Sequence, residues 1–421
     1  MKKFKVKFFW TYIIRLGIGI SILLFDLLTT NQFKYLKLIG LFDVIYSIYM
    51  IVYYRNVGTF SWIVGIISLI NICWANSICF NSASNAFNWQ IALVDSPENV
   101  IMAKCYISFF SGFLLGSGEK NKYNTKFQLI GFETFNLLIF FGGILLLIYI
   151  LIFGFSRSSM VYGHYISQSN TIYEYGIVLF TFVWLYLGRV DKINVSKICL
   201  LIYATLYIFQ GLIFGDRSSA FPMIIVLIIL LYKKDVRTKD ILLFGIGGVM
   251  LANYIDLFRN SSNNITLATL LRLGLNVNTI SYSHYAGVQI ISASNSTIHL
   301  GHFCRYLLGC VIGGNESLAD YASSIGYFNR GGGFSSSYFY YWFGYVGALF
   351  GGFIFGKIIE IIFTTKNRFS YPLMICIVAF TIRWYVYFPV SFFRSSLIVP
   401  TIIYLVLNEF DKIFKIKTIN N

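Results

Sequence analysis

The sequence predicts an all-helical, polytopic membrane protein, and three observations lead there. Hydrophobic residues make up 57% of the chain and charged residues 12%, against about 25% charged in a soluble globule. Mean hydropathy is +0.70, and apolar runs long enough to cross a bilayer recur along all 421 residues. The runs do not alternate apolar with polar residues as barrel strands would, and only five prolines interrupt them.

Twelve spans are expected within a single membrane domain covering 1–421. They lie at about 8–28, 34–54, 60–80, 99–117, 128–153, 171–188, 197–214, 218–232, 240–257, 337–363, 370–389 and 395–410. The first follows the basic start MKKFKVKFFW and reads as an uncleaved helix. The eighth is short and carries Pro222.

Lysine and arginine set the orientation. With the N-terminus inside, the inner segments hold Lys2 to Lys7, Arg55, Lys120 to Lys126, Arg189, Lys192, Lys197, Lys233 to Lys239, Lys366, Arg368, Lys412, Lys415 and Lys417. Both termini then face the cytoplasm. The net charge of +16 reflects topology and attraction to anionic lipid, not nucleic acid.

The outer side is basic in a different way. Beyond Lys34, Lys37 and Lys104 it uses arginine: Arg157, Arg217, Arg259, Arg272, Arg305, Arg330 and Arg394, with Arg383 in the outer half of a span. Topology does not demand arginine over lysine. A guanidinium offers a planar fork that matches phosphate, where lysine offers a point charge. Asp256 with Arg259 also suits a structural ion pair, and Arg383 has the same two readings.

The tripeptide Arg-Ser-Ser occurs at Arg157, Arg217 and Arg394. The last two copies stand where a span enters the membrane from outside. Serine caps helix N-termini, and such termini bind anions. Arg217 with Ser218, and Arg394 with its serines, therefore read as phosphate seats, with Asp216 orienting Arg217 or capping the helix. Pro222 and Pro400 follow and would break these helices. The plainer alternative is an arginine that snorkels to lipid phosphate, and Arg157, in a polar loop, fits that better.

The segment 258–336 is the largest outer connection. ITLATLLRLGLNVNTISYSHYAGVQII and IHLGHFCRYLLGCVIG suit helices on or in the membrane surface. Glu316 and Asp320 would share a helical face, and the glycines of NRGGGFSSS permit a mobile loop or a close approach to ligand. All four histidines, His164, His284, His299 and His302, fall outside. If a hydroxyl is to be deprotonated, Glu316, Asp320 and His302 are the candidates. The aromatic run YFYYWFGY is read mainly as an interfacial belt, with a smaller share for sugar stacking. Of the seven cysteines, Cys304 and Cys310 could pair but are badly spaced for it on a helix. No zinc-site spacing occurs.

Three landmarks carry a family resemblance: FGDRSSAFPMIIVLIILL, GGGFSSSYFYYWFGYVGALFGG and FFRSSLIVP. With the twelve-span layout and the late outer loop, they resemble the Wzy-type O-antigen and capsular polysaccharide polymerases, relatives of the O-antigen ligases. The first resembles their Gly-x-Arg element. The second resembles their Phe-Gly-x-x-Gly helix, here Phe343, Gly344 and Gly347. The resemblance implies a GT-C-like helical fold and a metal-independent, cofactor-free glycosyltransferase. Such an enzyme moves a glycan from undecaprenyl pyrophosphate to the terminal sugar of another lipid-linked repeat unit, outside the cytoplasmic membrane. A flippase and a chain-length regulator of the same pathway are implied partners. Arg217 would contact the donor pyrophosphate and Arg394 would be a second contact, with Arg259, Arg305, Arg330 and Arg383 as further substrate-binding positions. The ligases carry a His-Asn pair before the second landmark, and GGGFSSS has no histidine. The base is thus unassigned. A lipid-linked oligosaccharide flippase and an O-antigen ligase are the alternatives. A flippase should show related halves and a cavity reaching both faces, whereas the arginines here gather on one side.

Overall fold

The structure is a computed structural model that describes residues 35–81, 91–123, 137–154, 160–161, 164–165, 171–186, 195–213, 217–232, 237–259, 266–294, 297–312, 318–326, 332–365 and 369–419. The described chain is helical apart from one antiparallel pairing of β1 (Met160–Val161) with β2 (His164–Tyr165). The predicted first span lies outside the described residues.

Helix α1 (Leu36–Tyr53) packs on α2 (Phe60–Phe80), whose last six residues wind as π-helix. Helix α3 (Pro97–Gly116) starts with Ser96 Oγ accepting from the Asn99 amide at 3.3 Å and Pro97 in the first turn, a sequence-encoded cap. Then follow α4 (Leu137–Phe153), α5 (Thr171–Tyr186), α6 (Val195–Ile213), α7 (Arg217–Leu231) and α8 (Thr238–Arg259). The long predicted outer segment folds into α9 (Leu267–Leu273), α10 (Asn278–Ala293), α11 (Leu300–Ile312) and α12 (Leu318–Ser324). The chain ends with α13 (Ser335–Thr364), α14 (Ser370–Ala379), two π-helical segments at Arg383–Tyr387 and Ser391–Ile398, and α15 (Val399–Ile419).

Five helical stretches among the described residues are long and apolar enough to cross a membrane: Leu36–Tyr53, Phe60–Phe80, Pro97–Gly116, Ser335–Thr364 and Ser391–Phe410. Shorter apolar helices, including Ile172–Tyr186 and Ser219–Leu231, coincide with other predicted spans. These helices point to a bilayer environment.

The centre of the fold is the pair α3–α13. A Cβ on Gly112 would collide with the carbonyl of Leu349, and one on Gly352 with that of Phe109. Gly116 and Gly356 repeat the arrangement one turn on. Small residues four apart on both helices let the backbones touch, which is how helices associate where apolar burial gives no drive. Helix α13 is also broken: Gly344 has φ 70° and ψ −159°, a conformation that side chains disfavour. The Phe-Gly-x-x-Gly element thus has a structural role, with Gly344 at the break and Gly347 against the Phe339 carbonyl.

Two helices of the segment 258–336, α10 and α11, dock on this pair. Helix α10 packs on α3 and α13. Helix α11 buries His302, Tyr306 and Cys310 while Leu308, Val311 and Ile312 stay exposed, the two faces expected of a surface-lying helix. The run Tyr338–Trp342 is fully buried under it. It packs the core and is not the interfacial belt expected from composition. Cys304 is exposed, Cys310 is buried, and neither is in a disulfide.

Candidate functional site

The two π-helical segments near the C-terminus each carry an arginine singled out by the sequence. π-Turns are inserted distortions that recur at functional sites. The first closes with the Phe388 amide donating to the Arg383 carbonyl at 3.2 Å. The second begins after Pro389, whose carbonyl takes the amides of Phe392 and Phe393. Pro400, just beyond, has no N–H to continue a regular ladder.

Remote elements hold this corner in place. The Val390 amide donates to Tyr306 Oη at 2.9 Å, and Ser335 Oγ donates to the Trp384 carbonyl. Asn71 Oδ1 accepts from Tyr106 Oη at 2.6 Å and from Tyr385 Oη at 3.0 Å. Trp384 Nε1 donates to the Ile377 carbonyl at 3.1 Å. Helices α2, α11, α13 and α14 therefore all fix the two turns.

At their junction lies Glu174, in the first turn of α5. Its Oε1 is 2.5 Å from Arg383 Nη1, and its Oε2 accepts from Ser395 Oγ at 3.3 Å. Glu174 and Arg383 are 7% and 8% exposed, so the pair is desolvated and depends on its mutual attraction. Arg383 also lies over the Phe388 ring at 6.0 Å. Arg394, between Phe393 and Ser395, is half-buried, makes no ion pair among the described residues, and its Nε is buried without a hydrogen-bond partner. A guanidinium so placed suits an anion.

Ser395 and Ser396 do not cap a helix N-terminus, contrary to expectation. The helical winding begins at Ser391, so both serines lie within it. Ser395 binds Glu174, and Ser396 Oγ donates to the Ser391 carbonyl at 3.1 Å. Pro222 likewise lies inside α7 without ending it.

An apolar cleft of about 360 Å³ adjoins the corner. Its walls include Trp62 and Leu69 of α2, Phe221 and Ile225 of α7, and Phe244 and Val249 of α8. Arg383 is the one charged residue in its described lining, beside Val386 and Tyr387.

The other predicted positions are spread more widely. Arg217 and Ser218 open α7, which packs on α5 and α14. Arg259 is the last residue of α8, Asp320 is in α12, and Arg305 is exposed on α11. Asp216, Glu316 and Arg330 lie outside the described residues. His302 is buried, with Nδ1 accepting from Trp342 Nε1 at 2.9 Å, which leaves the ring proton on Nε2. His284 is held between Trp74 Nε1 on Nδ1 and Asn99 Oδ1 on Nε2. His299 stacks on Tyr341 at 4.1 Å. No group of three or more His, Cys, Asp or Glu side chains converges to hold a metal among the described residues.

Glu174 escaped the sequence reading. The available signal was an acidic residue near the start of the apolar run TIYEYGIVLFTF, where charges are functional by default. No family model matches this chain, and neither the curated proteins nor the solved structures include a match.

Proposed function

We propose that the chain is a membrane glycosyltransferase, a polysaccharide polymerase that transfers a glycan from undecaprenyl pyrophosphate to the terminal sugar of another lipid-linked repeat unit. The observation that carries this reading is the apolar cleft whose charged lining residue is Arg383, set one π-turn from Arg394. A lipid diphosphate needs that combination: an apolar surface for the chain and fixed cationic donors for the head.

In the proposed reaction, charge grows on the pyrophosphate as the glycosidic bond breaks. Arginine donors in turns held by Tyr306 and Asn71 stabilise that charge with little reorganisation. Arg217, at the start of α7, supplies a further contact in this reading. The docked helices α9 to α12 cover the site and admit the two glycans. In this reading the catalytic face lies outside the cytoplasmic membrane, and both termini lie inside.

The test is a deletion strain. Loss of the protein should leave single repeat units on lipid at the outer face and abolish long chains. Units trapped at the inner face would indicate a flippase. Long chains that remain on lipid and fail to reach their final acceptor would indicate a ligase.

A further inference from the structure

We infer that Glu174 is the proton acceptor of the transfer, held on Arg383 until a diphosphate takes its place. The inference rests on the polymerase reading and names a residue for the step that the absent His-Asn pair leaves open. Three observations converge on it. Glu174 is a buried carboxylate at the corner that carries both Arg383 and Arg394. Its Oε1 sits against the guanidinium at 2.5 Å, where a phosphate oxygen would make the same kind of contact. Three of the four histidines are engaged instead in packing: His284 through both ring nitrogens, His302 through Nδ1 to Trp342, and His299 on Tyr341.

The exchange explains why one carboxylate can be buried here without blocking the site. With no ligand, Glu174 supplies Arg383 with a buried counter-charge. A diphosphate at Arg394 brings its own negative charge to the neighbouring turn. Arg383 then has a second anion to pair with, and Ser395 keeps hold of Oε2 so that the released carboxylate stays oriented.

The acceptor sugar's hydroxyl oxygen attacks the anomeric carbon of the donor, forming the new C–O bond. The C–O bond to the diphosphate breaks, and its electron pair leaves on the phosphate oxygen beside the guanidinium groups. The hydroxyl proton passes to Glu174 Oε1, and later to water.

The experiment compares wild type, Glu174→Gln and Glu174→Asp in two measurements on the full chain in lipid nanodiscs. Binding is read with farnesyl diphosphate, and turnover as chain extension from native lipid-linked repeat units. Glu174→Gln should bind farnesyl diphosphate at least as tightly as wild type, because the competing anion is gone. Its turnover should fall by about a hundredfold or more, the contribution expected of a general base. Glu174→Asp, which keeps the charge one carbon shorter, should bind normally and retain part of the turnover. It also serves if the glutamine variant does not fold. Wild-type turnover in Glu174→Gln, or undiminished turnover in Glu174→Asp, overturns the inference and leaves the polymerase reading standing. Binding and turnover falling together in folded Glu174→Gln also overturns it, by making Glu174 a scaffold for Arg383. A wild-type protein that neither binds the probe nor extends chains overturns both.

Discussion

The hydroxyl of Ser395 reaches the Oε2 of Glu174 at 3.3 Å across 221 residues of sequence. Through that carboxylate the first turn of α5 is joined to both arginine-bearing π segments at once. The consequences can be measured.

Removing one partner of the buried pair should cost more than removing both. Glu174→Leu leaves the Arg383 charge buried and should destabilise the fold by about 3–5 kcal/mol, whereas adding Arg383→Leu to it should recover most of that loss. Thermal unfolding of the single and double variants in detergent, treated as a double-mutant cycle, checks this. Additive losses would mean that the two groups do not act on each other.

Arginine geometry should matter beyond charge. Arg217→Lys should fail nearly as badly as Arg217→Ala, with a loss of about a hundredfold to a thousandfold in chain extension at normal protein level. Arg394→Lys should behave alike but more mildly, and Arg157→Lys should be tolerated. Normal chain lengths from Arg217→Lys would remove Arg217 from the site.

The glycine contact between α3 and α13 should tolerate no added methyl. Gly112→Ala and Gly352→Ala should each destabilise by about 1–3 kcal/mol through overpacking. Gly142→Ala is the control, since a Cβ there meets nothing within 4 Å. Equal melting temperatures for all three would contradict the close approach.

Topology can be read with single cysteines in a background lacking the native ones. Ile325→Cys, at an exposed position after α12, should react with a membrane-impermeant thiol reagent in intact cells. Lys239→Cys, exposed near the start of α8, should react only after permeabilisation. The reverse pattern would invert the orientation.

Chain extension should persist in EDTA, since the proposed charge stabilisation comes from guanidinium groups. Loss of activity that Mg²⁺ or Mn²⁺ restores would bring Asp216, Glu316 and Asp320 forward as ligands.

The helical membrane class was legible because hydropathy is local: each run declares itself without knowing its neighbours. Arg383 and Arg394 were legible for the same reason, as charges out of place in apolar runs. Their connection was not, because it passes through Glu174 on a distant helix. Sequence gives the residues that need a partner but not which partner folding supplies. The aromatic run 338–342 shows the reverse error. Its composition suits an interface, yet α11 docks over it and makes it core, with Trp342 donating to His302. The serines after Arg394 follow an arginine at a predicted span mouth, a position that suits helix caps. Pro389 moves the start of the helical winding upstream to Ser391 and so puts them inside it.

The break at Gly344 also acts as a ruler. Unbroken, the 30 residues of α13 would reach about 45 Å, well beyond a hydrocarbon thickness of about 30 Å. From Tyr345 to Thr364 the rise is about 30 Å at 1.5 Å per residue, which matches that thickness without tilt. The aromatic stub before the break is then free to turn away from the membrane normal and remain with the docked helices. Shortening the lower part by one turn, or moving to a thicker bilayer, would pull Tyr338 and Trp342 toward lipid and loosen the seat of α11. Membrane thickness would thereby bear on Tyr306, which α11 carries, and through it on Val390 between the two arginine turns.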